Sequence, residues 1–307
     1  MTTAQWTLAE VLRSLHEAHE AHEAHEPAQP AGALGTPAVS GGRALVLPNA
    51  WDAASAALIA RAGAPAVATT SGGVAWSAGR PDGHGLTREE MAASVGRIVR
   101  AVDVPVTADI EGGYGPGADD VAATVRAVVA AGAVGVNLED SLAPGGPLHD
   151  TAAQSVRLRA ARSAAEDAGV PNLWINARTD VFLFGIGDPH DRAAHVLSRA
   201  HAYAEAGADS IFVPGLVDLP AVAALVRDSP LPVNVMAGPG SPSVAEFSAV
   251  GVRRISVGTA LAQAAYGAAE RAAAELLGGG TYFGMAHGVD FGALNAVVNR
   301  AAGGGRS

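Results

Sequence analysis

Eight short apolar runs, rich in Val, Ile and Leu, constrain the fold of this chain more than any other feature. They occupy residues 44–48, 66–70, 104–108, 134–138, 173–177, 210–213, 233–236 and 254–257. Ala-rich segments with Arg and Glu at helical spacing lie between most of them, for example at 119–131, 150–168, 189–206 and 243–250. Strict alternation of strands and helices indicates parallel strands joined by right-handed crossovers. Eight units over roughly 215 residues favour a (β/α)8 TIM barrel.

Glycine placement and the first strand support this α/β assignment against an open sheet. Gly63, Gly132 and Gly207 each follow a helical segment in an Ala-Gly-Ala phrase, where glycine ends a helix before the next strand. No Gly-x-Gly-x-x-Gly phrase follows the first strand, which disfavours a dinucleotide-binding Rossmann fold. Further helices are expected at 260–277 and 291–300, so the barrel domain is assigned to residues 44–301 with extra C-terminal helices.

Residues 1–43 differ in composition from the barrel. A short amphipathic helix is predicted at 6–13, and a His/Glu/Ala repeat spans 16–26. The repeat could form a metal-binding stripe along a helix, but a solvated, partly helical low-complexity insert is favoured because polar repeats bury little surface. Pro and Gly residues between 27 and 37 indicate a linker.

Composition excludes several chemistries and partners. All 20 basic residues are Arg and the chain has no Lys, so Schiff-base enzymes and a Walker A phosphate loop are excluded. The absence of Cys excludes disulfides and thiol catalysis. A net charge of -10 argues against a nucleic-acid partner. The uncharged stretch 62–79 indicates a buried strand with its loop rather than a membrane span, and no signal peptide is recognised, so we expect a cytoplasmic protein.

Polar residues follow three neighbouring strands, at the end of a barrel where active sites are built. Asp109 and Glu111 follow the third strand, Glu139 ends the fourth and Arg178 follows the fifth. Strand alternation would place Asp109 and Glu111 on one face, with Glu139 arriving from the neighbouring strand. Oxygen ligands without Cys or His favour Mg²⁺, with Mn²⁺ as the alternative. The alternative is a purely structural role, in which these acids pair with Arg178 or cap helices.

A run of small residues ends the second strand. Thr70, Ser71, Gly72 and Gly73 would let backbone N–H groups approach a carboxylate or carbonyl oxygen. The same loop continues to Asp82 and His84, which could face the same mouth.

Five phrases, taken together, resemble the isocitrate lyase/phosphoenolpyruvate mutase superfamily. They occupy residues 47–55, 70–75, 109–115, 137–140 and 177–180, in the expected order. The resemblance implies a barrel whose last helix swaps between subunits of a homodimer or homotetramer. It also implies Mg²⁺ bound with a small 2-oxo or 2-hydroxy acid, and chemistry through an enolate.

The resemblance also implies roles for single residues. Asp109 would contact the metal directly, while Glu111 and Glu139 would hold its waters; Glu111 stands where the family commonly has Asp. Arg178 would clamp the carboxylate or the developing oxyanion, and Asp82 matches a loop acid that faces the reacting group. The substrate-binding set implied in this way is Trp51, Thr70, Ser71, Gly72, Gly73 and Arg178.

The loop at 140–150 departs from the best-known branches of the superfamily. It lacks the Cys that serves as acid/base in the lyases, and Gly145 falls roughly where the mutase has a gating Lys. Cleavage of isocitrate or methylisocitrate by the usual mechanism is therefore not expected. His149 lies in this loop, which could close over the mouth, and His149, Glu139 and Asp82 are the conceivable proton acceptors.

The leading hypothesis is a Mg²⁺-dependent lyase that cleaves a C–C bond in a small 2-oxo or 2-hydroxy dicarboxylate, of the oxaloacetate decarboxylase or substituted-malate lyase type. One alternative is a phosphonate P–C bond mutase of the carboxyphosphonoenolpyruvate type. Another is a barrel that binds a dicarboxylate without turnover.

Overall fold

The computed structural model describes residues 2–17, 43–143 and 145–303. Nine parallel strand segments form the central sheet: β1 (Leu45–Leu47), β2 (Asn49–Ala50), β3 (Val67–Thr69), β4 (Val106–Asp109), β5 (Gly135–Glu139), β6 (Trp174–Arg178), β7 (Ser210–Phe212), β8 (Val233–Met236) and β9 (Arg254–Ser256). Each of the eight predicted runs overlaps one of these strands, and the first contains β1 and leads into β2. The strands β4, β5 and β6 each extend one residue beyond the predicted run.

The sheet curls into a barrel because β1 and β2 are two halves of one interrupted strand. β1 pairs with β9, and β2 pairs with β3, so the two edges of the sheet meet at Pro48. Proline has no N–H to donate to the ladder, which accounts for the break at this position. The predicted (β/α)8 barrel is therefore confirmed.

Helices alternate with the strands around the outside of the barrel. They are α2 (Ala53–Arg61), α3 (Ser71–Ser77), α4 (Arg88–Arg100), α5 (Ala118–Ala130), α6 (Thr151–Asp167), α7 (Arg192–Glu205), α8 (Leu219–Asp228) and α9 (Val244–Ala249). Gly63, Gly132 and Gly207 adopt left-handed φ angles of 99°, 100° and 91° at helix ends, as the Ala-Gly-Ala phrases predict.

The interior of the barrel is polar, whereas the layer between strands and helices is apolar. Asn176 is fully buried and its Nδ2 donates to Asn137 Oδ1 at 2.8 Å and to Asn234 Oδ1 at 2.9 Å. The buried Arg254 donates from Nη2 to the same Asn137 oxygen at 3.3 Å. Buried polar groups are usually hydrogen-bonded, and this network ties the inner strands to one another, although Nε and Nη1 of Arg254 have no hydrogen-bond partner among the described residues.

An N-terminal helix, α1 (Thr3–Glu17), covers the end of the barrel where the strands begin. Gln5 Nε2 donates to the carbonyls of Val129 and Ala133, just before β5. The ring of His16 is buried and stacks on Trp174, the first residue of β6, with centroids 3.8 Å apart. The predicted helix at 6–13 is thus longer than expected.

For His16 the expectation of a solvated repeat is wrong. The ring gains a stacking partner from β6, which the local repeat pattern does not reveal, and its burial follows from that tertiary contact. Residues 18–42, with the remainder of the repeat and the linker, lie outside the described residues.

The C-terminal segment consists of α10 (Ala260–Gly279), a 3-10 turn (Phe283–Met285) and α11 (Phe291–Gly303), and α11 packs against α2. Leu277, Phe283 and Phe291 expose more than four fifths of their surface. Among the described residues, no helix is both long and apolar enough to cross a membrane.

Candidate active site

The carboxyl ends of β4, β5 and β6 bring three predicted site residues together. Asp109 pairs with Asn137 across β4 and β5, and Glu139 is directly opposite Arg178 across β5 and β6. Arg178 Nη1 lies 3.0 Å from Glu139 Oε2, and both side chains are largely buried. The parallel register therefore places one guanidinium and two carboxylates at the same mouth, as the strand-end argument predicts.

Arg178 is fixed by a second carboxylate that sequence reasoning did not assign to the site. Its Nε donates to Asp180 Oδ1 at 2.6 Å, and Asp180 is fully buried. Asp180 Oδ2 in turn accepts from Ser141 Oγ at 2.7 Å. Only the spacing of the Arg-Thr-Asp phrase could have suggested this contact. The guanidinium is thus held between Glu139 and Asp180. For Glu139, the alternative that the acids pair with Arg178 therefore applies.

Glu111 does not continue the strand alternation that was predicted from Asp109. β4 ends at Asp109, and Glu111 has a left-handed φ of 49°. Its Oε1 accepts from the Tyr114 hydroxyl at 2.7 Å, and its Oε2 accepts from the backbone N–H of His84. Tyr114 was not predicted as a site residue; the Gly-Gly-Tyr-Gly run was its only signal. Glu111 is therefore buried beside the mouth and oriented by two partners.

Burial makes this group of carboxylates electrostatically unfavourable in its ionised form. It raises the pKa of Asp109 and of Glu111, and it raises the pKa of Glu139 to about 8 in spite of Arg178. Burial acts to lower the pKa of Arg178, but Glu139, Asp180 and Asp109 together raise it. The surplus of negative charge in a buried mouth favours a bound cation.

These residues fit a hard divalent cation with one direct protein ligand. Among the described residues, no three His, Cys, Asp or Glu side chains converge to hold a metal by themselves. Mg²⁺, however, usually keeps several waters and takes one or two carboxylates. Within the described residues, the Asp109 carboxylate accepts only two long hydrogen bonds, from the Ser71 N–H at 3.4 Å and the Glu111 N–H at 3.3 Å, so it has free acceptor capacity. Asp109 would then be the direct ligand, with Glu111 and Glu139 holding waters.

The run of small residues after β3 is the start of a helix rather than an open loop. Thr70 is the N-cap of α3, and Ser71 and Gly72 lie in its first turn, where N–H groups lack helical partners. A Cβ at Gly72 would lie 2.9 Å from Asp82 Oδ2, so the loop carrying Asp82 folds back onto this turn.

Gly73 is equally crowded, which places Trp51 at the same mouth. A Cβ at Gly73 would lie 2.7 Å from Thr70 Cγ2 and 2.8 Å from Trp51 Cβ. Glycine is thus required by close approach here, and Thr70, Gly73 and Trp51 form one wall.

His149 lies apart from the carboxylates. It lines a cavity of about 530 Å³ together with His84, Arg88 and Arg157. The loop that carries it is held at its base, because Ser141 and Leu148 form an antiparallel bridge and Arg199 Nη2 donates to the His149 carbonyl at 3.0 Å. Its predicted catalytic role stays a prediction.

Comparison with known proteins identifies the family of this chain. The sequence pattern of the phosphoenolpyruvate phosphomutase family matches residues 38–277. An uncharacterized protein of Mycobacterium tuberculosis strain H37Rv is 37% identical over 228 residues, covering 74% of this chain and 83% of that protein.

A lyase and a mutase-like protein are similar to a comparable degree. The 2,3-dimethylmalate lyase of Eubacterium barkeri is 39% identical over 175 residues, which is 55% of this chain and 58% of the lyase. A solved structure of a phosphonomutase-like protein from Burkholderia cenocepacia J2315 superposes with a TM-score of 0.75 at 40% identity, covering 90% of this chain and 100% of that one. The chain belongs to the phosphoenolpyruvate phosphomutase family, within the isocitrate lyase/phosphoenolpyruvate mutase superfamily.

Proposed function

We propose that this protein is a Mg²⁺-dependent lyase that cleaves a C–C bond in a small 2-oxo or 2-hydroxy dicarboxylate through an enolate. The observation that supports the proposal is that Arg178 is held between Glu139 and Asp180. It lies at the same barrel mouth as Asp109, whose carboxylate has unused hydrogen-bond acceptor capacity. Neither Lys nor Cys exists anywhere in the chain to serve as a proton carrier. The similarity to a lyase of substituted malate supports the same reaction class.

The residues of the mouth divide the work between binding and charge stabilisation. The Gly72 N–H and the Ser71 N–H, which would exchange its long hydrogen bond to Asp109 for the substrate, bind the substrate carboxylate, and Arg178 opposes negative charge as it develops on the 2-oxo oxygen. Mg²⁺ held by Asp109 would supply Lewis-acid polarisation of the substrate. Holding Arg178 from both sides keeps it in place without reorganisation during the reaction.

The two reaction types differ in their need for a base. Decarboxylation of an oxaloacetate-type substrate needs no protein base before the C–C bond breaks: CO₂ leaves, the remaining electron pair forms the enolate, and the enolate carbon then takes a proton from water to give pyruvate. Cleavage of a 2-hydroxy acid requires removal of a hydroxyl proton. Glu139 is the first candidate acceptor in its ionised form, which is more basic than an ordinary carboxylate because burial raises its pKa to about 8. Asp82, folded back onto Gly72, is the second candidate.

A P–C bond mutase is the second candidate function. The observation in its favour is the 40% identity to the phosphonomutase-like Burkholderia protein, close to the 39% identity to the lyase. A dicarboxylate-binding barrel without turnover is the outcome if substrates bind but no bond is broken.

We also propose a homodimer or homotetramer, with the C-terminal helices exchanged between subunits. Leu277, Phe283 and Phe291 are large apolar side chains with little cover in the single chain, and such a surface is costly in water. Light scattering coupled to gel filtration measures the assembly, and a chain ending before residue 281 should be monomeric. A truncated protein that keeps the oligomeric state of the full-length protein would refute the exchange.

The reaction is tested by incubating the purified protein and MgCl₂ with oxaloacetate, substituted malates and phosphonopyruvate. Pyruvate or glyoxylate release is followed enzymatically, and P–C chemistry is followed by phosphorus NMR. Release of pyruvate or glyoxylate that stops with EDTA is the expected result. Phosphonate turnover alone would support the mutase.

Two variants test the site with oxalate binding as the readout. Asp109→Ala should abolish Mg²⁺-dependent oxalate binding, whereas Arg178→Ala should weaken oxalate while the metal still binds. Asp103→Ala, an exposed change just before β4, is the control. Unchanged Mg²⁺-dependent oxalate affinity in Asp109→Ala would show that the metal site is assigned wrongly.

A further inference from the structure

We propose that the 530 Å³ cavity lined by His149 is a second binding site, which takes a small polyanion bearing carboxylate or phosphate groups. The cavity lies between the start of α4, the loop after β4 and the loop after β5. The side chains that define it are His84, Arg88, Glu89, Tyr114, His149 and Arg157. Glu89 is the one acid among the residues that line it, and it is exposed.

Arg157 brings a buried positive charge to this cavity without a carboxylate partner. Its Nη1 donates to the carbonyls of Pro116 at 2.8 Å and Gly115 at 3.2 Å, and its Nη2 donates to the Gly112 carbonyl. Within the described part of the chain, it takes part in no ion pair with an acid. Carbonyl oxygens satisfy these N–H groups without carrying a full charge, and Asp120 acts on the guanidinium only through its charge and without an ion pair, which favours an anion nearby.

Arg88 adds a second cation at the cavity wall. Its Nε donates to Thr124 Oγ1 at 2.8 Å and its Nη2 to the Tyr114 carbonyl at 3.2 Å. Its contact with Asp120 is long, at 3.4 Å, and both side chains are partly exposed, so the pair neutralises Arg88 weakly. Arg88 is thus oriented mainly by neutral groups, and most of its positive charge is available to attract an anion.

The electrostatic environment of His149 agrees with a positive cavity. Burial lowers the pKa of His149, and the charge of Arg157 lowers it further. The first turn of α4 also lines the cavity at Thr87 and Arg88, but its own Glu89 and Glu90 offset the positive potential of its N–H groups, so the arginines supply the attraction for an anion.

The proposed site is separate from the carboxylate mouth but shares a wall with it. His84 and Tyr114 line the cavity, and these same residues hold the two carboxylate oxygens of Glu111. His84, Glu111 and Tyr114 are also the only non-glycine residues in the described ranges with positive φ, at 61°, 49° and 57°. Strained backbone of this kind concentrates at ligand clamps. An anion touching His84 and Tyr114 would therefore act on the position of Glu111.

Anion binding is measured by calorimetry on Asp109→Ala, so that the carboxylate mouth cannot contribute through a metal. Inorganic phosphate and tricarballylate are the probes, and the tighter of the two identifies phosphate or carboxylate chemistry. We expect binding in the millimolar range or tighter, weakened about tenfold by Arg88→Gln, since one charge-assisted contact is lost. Arg100→Gln, on the exposed side of α4, should leave it unchanged.

His149→Gln is the second variant, because both loop hydrogen bonds at this residue use its backbone and survive the change. It should weaken binding with the fold intact by circular dichroism. No binding of either probe at millimolar concentration, or equal loss in Arg88→Gln and Arg100→Gln, would overturn the proposal. The measurement uses Asp109→Ala, which should lack the metal-dependent site. Its result therefore does not depend on whether the lyase reaction is observed.

Discussion

Burial of the neutral His16 ring between α1 and the barrel should make the fold less stable at mildly acidic pH. The ring is buried against Trp174, and its Nδ1–H donates to the Leu12 carbonyl at 2.8 Å, which fixes the neutral tautomer. Burial, and then the charge of Arg254, lower the pKa of His16 to about 3. A proton on this ring would place a second cation in a buried region that already holds Arg254.

The sign and size of the effect follow from linkage. In the unfolded chain the pKa of His16 returns to its ordinary value of 6.5, above the folded value of about 3. The contribution of the neutral ring is therefore fully present above pH 6.5 and is lost as pH falls toward 3. Each pH unit below 6.5 costs about 1.4 kcal/mol, so a shift from about pH 7 to pH 5 removes about 2 kcal/mol of unfolding free energy.

Urea unfolding followed by tryptophan fluorescence, at several pH values, measures this loss. The raised pKa values of Asp109 and Glu139 act in the opposite direction, since protonation of those groups favours the folded state as pH falls. His16→Phe isolates the histidine, because it keeps a ring against Trp174 but binds no proton. The exposed His201→Gln is the matched control. Parallel pH profiles for wild type and His16→Phe would refute the reasoning.

Four further substitutions have definite expected outcomes, one of them as a matched control. Asp180→Asn should weaken oxalate at least tenfold in calorimetry with little change in Mg²⁺ affinity, since Arg178 loses one of its two fixing charges; a wild-type oxalate affinity would contradict this. Gly113→Ala should lower unfolding free energy by about 1–3 kcal/mol, because φ is 88° and a valine methyl lies 2.6 Å from the new Cβ. Gly145→Ala, with φ of 69° but open space, should cost less, and equal melting temperatures would count against the crowding argument. Asp209→Asn should destabilise the fold by about 1–3 kcal/mol in urea, since its carboxylate accepts from two arginines.

The barrel and the carboxylates at its mouth could be predicted because they depend on local pattern. Apolar runs set the strands, glycine set the helix ends, and parallel strands necessarily bring Asp109, Glu139 and Arg178 to one edge. These inferences needed no knowledge of which side chains meet, only of strand direction.

Other features depend on contacts between distant segments and could not be predicted. The helical start at Ser71 was hidden because two glycines are weak helix formers. The turned backbone of Glu111 depends on a hydroxyl from Tyr114 and an N–H from His84, 27 residues earlier in the chain. His16 looked solvated because its burial comes from Trp174, which the repeat pattern cannot indicate.

The amide network inside the barrel has a consequence for how this sequence can change. Asn176 Oδ1 accepts from Ser210 Oγ at 2.7 Å, while both hydrogens of its Nδ2 go to the oxygens of Asn137 and Asn234. The amide can therefore face only one way round. Asp at 176 would place an anionic oxygen next to the Oδ1 acceptors of Asn137 and Asn234. Leu at 176 would leave both of these acceptors without the donor they now have. The four linked side chains should therefore change together in related sequences. A redesigned barrel that includes one of them must also include the other three, which are drawn from Asn137, Asn176, Ser210 and Asn234.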